Sequence, residues 1–238
     1  MANTISISVV IPAHNEAVRI GQTLCGLLTH VATPQEIIVV LDHCTDATEQ
    51  IVAAVRKAAP NITVLQNTKD KGFANTLTTG FLAAKGEAII PVMADGCDDP
   101  KTVDLLWKTL EKGADVAVAS RYMRGGKKRG GPMLQNILSR CVSYSLHLIT
   151  GIPTWDAANS YKMYRKDLLL SLLPHAKSLG TEFSMELLFR AYRNSARIVE
   201  IPTEWHGRKT RLLHEWKILK RFPKYWPQYH KALLGRRH

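Results

Sequence analysis

The sequence predicts an α/β fold with a mostly parallel central sheet flanked by helices. Short runs rich in Val and Ile alternate with stretches of helical apolar spacing through the first half of the chain. Strands that are apolar along their whole length are typical of a parallel sheet covered on both faces. The 238 residues, 45% hydrophobic and 22% charged, fit one large globular domain or two small ones and argue against extensive disorder.

The individual elements follow from this alternation. The predicted strands cover residues 5–11, 36–41, 62–66 and 88–93. The predicted helices, where apolar residues recur at helical spacing, cover residues 15–28, 45–59, 73–84 and 101–110. Ligands bind outside the carboxyl ends of parallel strands, so a functional site is expected in the loops after Ile11, Leu41 and Met93.

Polar side chains follow each of these three strands. The loops have the sequences Pro-Ala-His-Asn-Glu at 12–16, Asp-His-Cys-Thr-Asp at 42–46 and Ala-Asp-Gly-Cys-Asp-Asp-Pro at 94–100. Helix capping is the alternative explanation for any single loop, because Asn15, Asp46 and Asp98 are of good N-cap types. Three polar loops at the same edge of one sheet favour a ligand site.

The net charge of +12 is concentrated in two short segments. Residues 1–120 carry a net −4, residues 121–131 carry +5 and residues 206–238 carry +9. Partners that carry phosphate are therefore expected: a nucleotide, a nucleic acid or a membrane surface. Within 212–238, helical spacing of apolar residues opposite lysines and an arginine is typical of a helix at a membrane surface. Packing of this tail on the preceding domain is the alternative.

Several classes of protein are excluded. No segment offers the roughly 20 consecutive apolar residues of a membrane-spanning helix, and the N-terminus lacks the features of a secretory signal. Four scattered cysteines without a Cys-x-x-Cys pair do not support a zinc site or a disulfide framework. Reduced thiols fit a cytoplasmic location, either free or peripheral on the inner face of the membrane.

An ordered set of motifs resembles the family 2 glycosyltransferases, most closely the dolichol-phosphate mannose synthases and other polyprenyl-phosphate glycosyltransferases. The motifs lie at 9–16, 39–46, 70–81, 93–100, 119–122, 138–140, 151–165 and 181–188. The resemblance implies a GT-A fold over residues 1–205. Its nucleotide-binding half would be 1–118, its acceptor half, with a mixed sheet, 119–205, and the tail 206–238.

The resemblance also implies a site for a nucleotide-sugar donor. Base and ribose would lie near Pro12, His14, Glu16 and Asp42, with the loop of Lys71 below the base. The basic residues that contact the diphosphate would be Arg208 and Arg211, with Lys209 as a substitute, in a connector that is shorter here than in relatives.

A divalent metal, Mg²⁺ or Mn²⁺, would bridge the diphosphate and an Asp-x-Asp motif. Here Met93 replaces the first Asp of that motif. Asp95 is then the best single ligand, with Asp98 or Asp99 as helper, and N-capping of the following helix is the alternative role for both helpers. Met and Cys are poor ligands for Mg²⁺, so weaker metal dependence is one expectation and a catalytically inactive sugar-nucleotide binder is another.

On the acceptor side, the resemblance implies that Arg121 contacts phosphate and that Ser139 orients the acceptor. The predicted catalytic set is Asp95, Asp99, Arg121 and Ser139, and the predicted acceptor-binding set is Arg121, Lys128, Arg129, Ser139, Asp156 and Asn159. A phosphate monoester has a second pKa near 6, so a polyprenyl phosphate would need no strong base and would attack with inversion.

Two alternatives remain at this point. With an alcohol acceptor, a carboxylate base would be needed, and Asp99, Asp156 or Glu182 would be the candidates; surface solvation is the plainer explanation for Glu182 and Glu186. A soluble acceptor with the same donor chemistry is the first alternative function. Nucleic-acid binding through the tail is the distant one, and no nucleic-acid partner is expected because no such motif is present.

Overall fold

A seven-stranded sheet organises the chain, and a two-stranded sheet lies beside it. The computed structural model describes residues 6–131 and 133–207. The large sheet has the order β3-β2-β1-β4-β7-β5-β8. Its strands are β1 (Ile7–Ala13), β2 (Gln35–Leu41), β3 (Ile62–Gln66), β4 (Ala88–Pro91), β5 (Val116–Ser120), β7 (Lys162–Arg165) and β8 (Ile198–Pro202). The small sheet pairs β6 (Lys127–Arg129) with β9 (Glu204–His206) in parallel.

All pairings in the large sheet are parallel except those of β7, which runs antiparallel to β4 and β5. The predicted mostly parallel sheet is therefore confirmed, and β7 makes it mixed. The four strands predicted from apolar runs are all present, with ends displaced by up to two residues. The predictions for the tail, Arg208, Lys209 and Arg211 included, lie outside the described residues.

Helices cover both faces of this sheet. They are α1 (Ile20–His30), α2 (Thr48–Ala58), α3 (Phe73–Ala83), α4 (Thr102–Glu111), α5 (Met133–Thr150), α6 (Lys166–Leu172) and α7 (Phe183–Arg193). One buried apolar cluster includes residues of α1, α2 and α4, and the other includes residues of α3, α5, α6 and α7. Within the described ranges, none of the helices has the length and hydropathy needed to cross a bilayer.

The first helix begins later than predicted, at Ile20 instead of Asn15. Asn15 has a φ of 53°, outside the helical region, and its side chain bonds Thr45 in the next loop. Asp46 likewise accepts from Ala17 N at 3.1 Å and from Thr48 N at 3.0 Å. These side chains therefore tie the loops after β1 and β2 together, which holds the carboxyl edge of the sheet in one shape.

Close packing of α3 on the sheet depends on a glycine. A Cβ added at Gly80 would lie 2.3 Å from Val10 Cγ1 and 3.0 Å from Val40 Cγ2. Both valines are fully buried in β1 and β2, so neither can move away without disturbing the sheet.

We therefore expect Gly80→Ala to lower the free energy of unfolding by about 1–3 kcal/mol, because the added methyl overpacks the contact. Urea unfolding measures the change. Gly26→Ala in α1 is the matched control, since its Cβ would meet only Pro100 Cγ at 3.5 Å; it should be neutral or stabilising by up to about 1 kcal/mol. Equal destabilisation by both substitutions would contradict the packing argument.

Candidate active site

A cleft of about 370 Å³ opens at the carboxyl ends of β1, β2 and β4. This is where the strand order reverses direction, the position at which open α/β sheets bind ligands. The lining residues come from three strand ends and the start of α3: Pro12, Ala13, His14, Glu16, Asp42, Lys71, Gly72, Phe73, Thr76, Met93, Ala94 and Asp95. All five residues predicted to lie near the base and ribose are therefore brought together.

Asp42 is the most constrained carboxylate of the cleft. Its Oδ1 accepts from Asn67 Nδ2 at 2.8 Å and its Oδ2 accepts from Gly72 N at 3.2 Å. Burial raises the pKa of the Asp42 carboxyl, but hydrogen bonds from Asn67 and His43 outweigh this and hold that pKa below its usual value. Asp42 is thus an anion that fixes the Lys71-Gly72 loop against the end of β2.

His14 has a fixed orientation in the same cleft. Its Nδ1 donates to the carbonyl oxygen of Asp42 at 2.6 Å, and the ring is partly buried. This hydrogen bond argues against a histidine that is simply exposed to solvent. The ring therefore lines the cleft as a flat surface next to Pro12.

The loop after β4 carries three carboxylates with different surroundings. Asp95 lines the cleft, and its Oδ1 accepts from Cys97 N at 3.1 Å. Asp98 Oδ2 lies 3.5 Å from Met93 N, next to the residue that replaces the first Asp of the expected motif. Asp99 Oδ1 accepts from Lys101 N at 3.1 Å, just before the start of α4, and Asp99 lies outside the cleft lining.

The donor set of this loop fits a hard divalent cation only in part. Burial, and then the negative charge of Asp95, raise the pKa of Asp98 to about 7, so a cation beside these two carboxylates would be favourable. The sulfurs of Met93 and Cys97 would add little for Mg²⁺ or Mn²⁺. No group of three His, Cys, Asp or Glu suited to a metal occurs in the described part of the chain.

A buried ion pair lies next to the loop after β4, between Arg121 and Asp156. Arg121 Nε and Nη2 donate to Asp156 at 2.7 and 2.8 Å, and Arg121 N donates to the same carboxylate at 2.9 Å. Asp156 is fully buried and Arg121 is 8% exposed. Although burial opposes the charge of Arg121, Asp156 raises the pKa of this arginine above its usual value.

This placement changes the predicted role of two residues. Asp156 cannot touch an acceptor or act as a base, because its carboxylate is buried and occupied by Arg121. Asn159 is also buried, and its Nδ2 donates to the carbonyl of Ala119 at 2.8 Å. Both hold the loop before β7 against the end of β5, and so they position Arg121.

Beside Arg121, cations surround the ring of Tyr122. The Lys128 ammonium lies 5.0 Å from the Trp205 ring centroid and 3.4 Å from the Tyr122 hydroxyl. The guanidinium of Arg140 lies 5.3 Å from the Tyr122 centroid. Ser139 Oγ is 2.6 Å from the same hydroxyl. We call Arg121, Tyr122, Lys128, Ser139, Arg140 and Trp205 the cationic cluster.

The cationic cluster carries more positive than negative charge. Arg121 is paired with Asp156, whereas neither Lys128 nor Arg140 has a carboxylate within salt-bridge distance among residues 6–131 and 133–207. Burial, and then the charge of Arg121, lower the pKa of Lys128 to about 7. A bound anion would therefore be favourable here.

Alternation along β6 separates its three basic residues. Successive strand side chains point to opposite faces, so Lys128 faces Tyr122 and Trp205 while its neighbours face Glu204. Lys127 Nζ donates to Glu204 at 2.6 Å, and Arg129 lies 3.7 Å from the same carboxylate. The prediction that Arg129 joins Lys128 on the acceptor does not fit this geometry.

Comparison with known proteins identifies the family. A model of the family described as Glycosyl transferase family 2 matches residues 8–173. The chain belongs to the family 2 glycosyltransferases. The family predicted from the motifs is thus confirmed, and the chain is a glycosyltransferase.

Curated relatives cover most of this glycosyltransferase. It is 28% identical to the polyprenol monophosphomannose synthase of Mycolicibacterium smegmatis, over 84% of this chain and 77% of the relative. It is also 28% identical to the undecaprenyl-phosphate mannosyltransferase of Micrococcus luteus, over 81% of this chain and 80% of the relative.

Solved structures confirm the GT-A fold. The chain aligns with glucosyl-3-phosphoglycerate synthase from Mycobacterium tuberculosis with a TM-score of 0.69 at 21% identity, over 91% of this chain and 76% of that one. That crystal structure contains Mn²⁺, uridine diphosphate and glucosyl-3-phosphoglycerate. At this level of identity the likeness concerns the fold.

Two residues of the cationic cluster had no predicted role. These residues, Tyr122 and Arg140, lie inside the motifs 119–122 and 138–140. Lys162 in β7 is fully buried, and its Nζ donates to the carbonyl of Asn159. Burial lowers the pKa of Lys162 to about 7. Lys162 lies in the motif 151–165, which the resemblance places at the acceptor side together with Asp156 and Asn159; its complete burial is what the sequence does not indicate.

Surface solvation was the plainer explanation for Glu182, which precedes α7, and for Glu186 within it; for Glu186 this is wrong. Glu182 is partly buried and its Oε1 accepts from Gly180 N at 3.1 Å. Glu186 is 3% exposed and bonds Arg190 Nη2 at 2.7 Å. Burial raises the pKa of Glu186, yet hydrogen bonds from Ser178 and Arg190 bring it down to about 2, so Glu186 stabilises the fold as an anion.

We expect Asp156→Asn to destabilise the protein by about 3–5 kcal/mol, because it leaves the buried guanidinium of Arg121 without its counter-charge. The double variant Arg121→Met with Asp156→Leu should cost less than Asp156→Asn alone, since it removes both charges. Urea unfolding of the three proteins forms the comparison. A double variant less stable than Asp156→Asn would contradict the assignment of a desolvated pair.

Proposed function

We propose that this glycosyltransferase moves one sugar from a nucleotide-sugar donor to the phosphate of a polyprenyl lipid, with inversion at the anomeric carbon. The observation that carries the proposal is the contact between the loop after β4, which holds Asp95, and the cationic cluster. Asp98 and Trp205 form a β-bridge, and His206 N donates to the carbonyl of Cys97 at 2.9 Å. An anion held over Lys128 would therefore lie beside the loop that holds Asp95.

The donor would occupy the cleft, where Pro12, His14 and Glu16 face its base and ribose. Asp42 shapes this part of the site by holding the Lys71-Gly72 loop. Lys71 is exposed at the rim of the cleft, where its charge would favour a diphosphate. Arg208 and Arg211 complete the proposed donor site.

Asp95 and Asp98 would hold the divalent metal, either Mg²⁺ or Mn²⁺. When bound, the metal stabilises the charge that develops on the leaving diphosphate. Two carboxylates leave most coordination positions open, and oxygens of the donor itself are suited to fill them. The crystal structure of glucosyl-3-phosphoglycerate synthase, which contains both Mn²⁺ and uridine diphosphate, supports this proposal.

The chemistry of the acceptor site favours a phosphate nucleophile. Such a phosphate is already anionic near neutral pH, so the enzyme needs only to orient it and to offset its repulsion from the donor. Lys128 and Arg140 supply the charge, Arg121 is held beside them, and Ser139 and Tyr122 supply hydroxyls. The two curated relatives are named for polyprenyl or undecaprenyl phosphate chemistry, which supports a lipid acceptor.

An alcohol acceptor is less well supported. It would require a carboxylate base near the cationic cluster. Of the three candidates, Asp156 is paired with Arg121, Asp99 accepts a hydrogen bond from Lys101 N, and Glu182 accepts one from Gly180 N. The same donor chemistry on a soluble phosphate remains the second candidate, because the cluster recognises the phosphate and not the hydrocarbon.

Asp95→Asn should reduce sugar transfer by about 100-fold or more, because the metal and the leaving diphosphate lose their main carboxylate. Affinity for the nucleoside diphosphate with Mn²⁺ should fall as well, as measured by calorimetry. Glu111→Gln, at the exposed end of α4, is the control and should behave as wild type. Unchanged turnover in Asp95→Asn would overturn the metal assignment.

Acceptor binding should weaken as the pH rises through about 7. The protonated form of Lys128 binds phosphate, and its pKa near 7 means that this charge is present below pH 7 and lost above it. We expect the KM for the acceptor to rise several-fold between about pH 7 and pH 9. Lys128→Arg should show a flat profile in this range, because arginine stays charged.

The donor KM measured at the same pH values separates this effect from general loss of activity. It should not rise in either protein, because Asp98, whose pKa is also about 7, gains negative charge for the metal as the pH increases. An acceptor KM that rises equally in Lys128→Arg would show that another group is responsible.

A further inference from the structure

The small sheet has a charged outer face built around one carboxylate. Glu204 of β9 lies opposite Lys127 in the parallel register, and Arg129 follows two residues further along β6. Lys127 Nζ donates to Glu204 Oε1 at 2.6 Å, and Arg129 Nε lies 3.7 Å from Glu204 Oε2. His206 Nε2 lies 3.7 Å from the same oxygen. Because side chains alternate along a strand, this face points away from the side chain of Trp205.

Lys128 lies on the opposite, inner face of the small sheet. It is the register partner of Trp205, and its ammonium lies 5.0 Å from the centroid of that ring. The charged groups around Lys128 are Arg121, Arg140 and Asp156, of which the two arginines oppose its positive charge. Repulsion therefore works against the placement of Lys128 in the cationic cluster, and other contacts of β6 have to offset it.

Strand β6 is too short to be stable by itself. It consists of three basic residues with a Gly-Gly pair on either side, so it has no apolar side chain to bury. At its two ends, Lys127 N donates to Thr203 O at 2.9 Å and Gly207 N donates to Arg129 O at 2.7 Å. A two-stranded sheet is marginally stable at best in water. Side-chain contacts with β9 are therefore needed to hold β6 in place.

We propose that Glu204 is a positioning residue: by binding Lys127 and Arg129 on the outer face of the small sheet, it holds Lys128 on the inner face, where the acceptor phosphate would bind. This inference rests on the proposed function, from which the phosphate is taken. Glu204 would not touch the phosphate itself, because its carboxylate lies on the other face. An exposed ion pair adds little to the stability of a whole domain, but only the attachment of three residues to β9 depends on this one.

The first test is the pH dependence of the acceptor KM in Glu204→Gln. In wild type this KM should rise several-fold between about pH 7 and pH 9, as Lys128 loses its proton. In Glu204→Gln, Lys128 is released to solvent, where a lysine stays charged up to about pH 10. The acceptor KM should then be about tenfold higher at pH 7 and nearly constant up to pH 9, with a smaller change in kcat. Glu204 itself stays anionic in this range, because the hydrogen bond from Lys127 holds the pKa of Glu204 below its usual value.

A charge-reversed pair provides the rescue. Lys127→Glu with Glu204→Lys keeps the net charge, restores an ion pair at the same register position and leaves a carboxylate on the face of Arg129. It should recover both the acceptor KM and its rise with pH. Glu111→Gln, at the exposed end of α4, loses the same charge elsewhere and should behave as wild type. A wild-type rise with pH in Glu204→Gln overturns the proposal, and so does a reversed pair that recovers nothing.

Hydrogen exchange measures the same contact without catalysis. The backbone amides at positions 127 and 207 donate at the two ends of the small sheet. Their exchange should be about tenfold faster in Glu204→Gln, close to wild type in the reversed pair and unchanged in Glu111→Gln. The Tm of Glu204→Gln should stay near that of wild type, because the carboxylate is exposed. Equal exchange in all four proteins overturns the proposal.

The two measurements separate this inference from the proposed function. If wild type transfers sugar to no phosphate acceptor, the proposed function is wrong, and the exchange rates still decide whether Glu204 holds β6. If exchange quickens in Glu204→Gln but its acceptor KM follows the wild-type pH profile, Glu204 holds the small sheet without positioning Lys128, and the proposal is overturned.

Discussion

The arrangement of the cationic cluster depends on one buried ion pair. Arg121 donates three hydrogen bonds of 2.7–2.9 Å to the carboxylate of Asp156, and both side chains are buried. Such a pair costs desolvation and stabilises little by itself. Its consequence is positional, because it joins the end of β5 to the loop before β7. The guanidinium is thereby held 5.2 Å from the Tyr122 ring and 5.9 Å from the Trp205 ring.

The two regions on either side of this ion pair and the loop after β4 carry opposite charge. The donor cleft contains carboxylates at the strand ends, and the cationic cluster contains two cations without a carboxylate partner in the described residues. The Asp98–Trp205 bridge joins the two regions. A sugar passing from a diphosphate to a phosphate needs positive charge on both sides: a metal held by Asp95 and Asp98 would provide it for the donor, and Lys128 and Arg140 for the acceptor. In the proposed function these tasks would be separated between the carboxyl ends of different strands.

The cleft could be predicted from the sequence because it depends on local patterns, namely apolar strands and the polar loops that directly follow them. Apolar strands of β-branched residues identify a buried parallel sheet, and polar loops after β1, β2 and β4 must then meet at one edge. The acceptor half depends on burial that sequence does not reveal. Lys162 is fully buried at the start of β7, Lys-Lys-Arg at 127–129 forms β6, and Asp156 pairs with Arg121 instead of contacting an acceptor.

The central claim is that the sugar is passed to a lipid phosphate at the cationic cluster. Its most direct test is transfer of labelled sugar from UDP-, GDP- and TDP-sugars to a short polyprenyl phosphate and to the matching prenol, with the anomeric configuration of the product determined. The account predicts a product with inverted configuration from the phosphate and none from the prenol. Transfer to the alcohol, or only to a non-lipid acceptor, would contradict it.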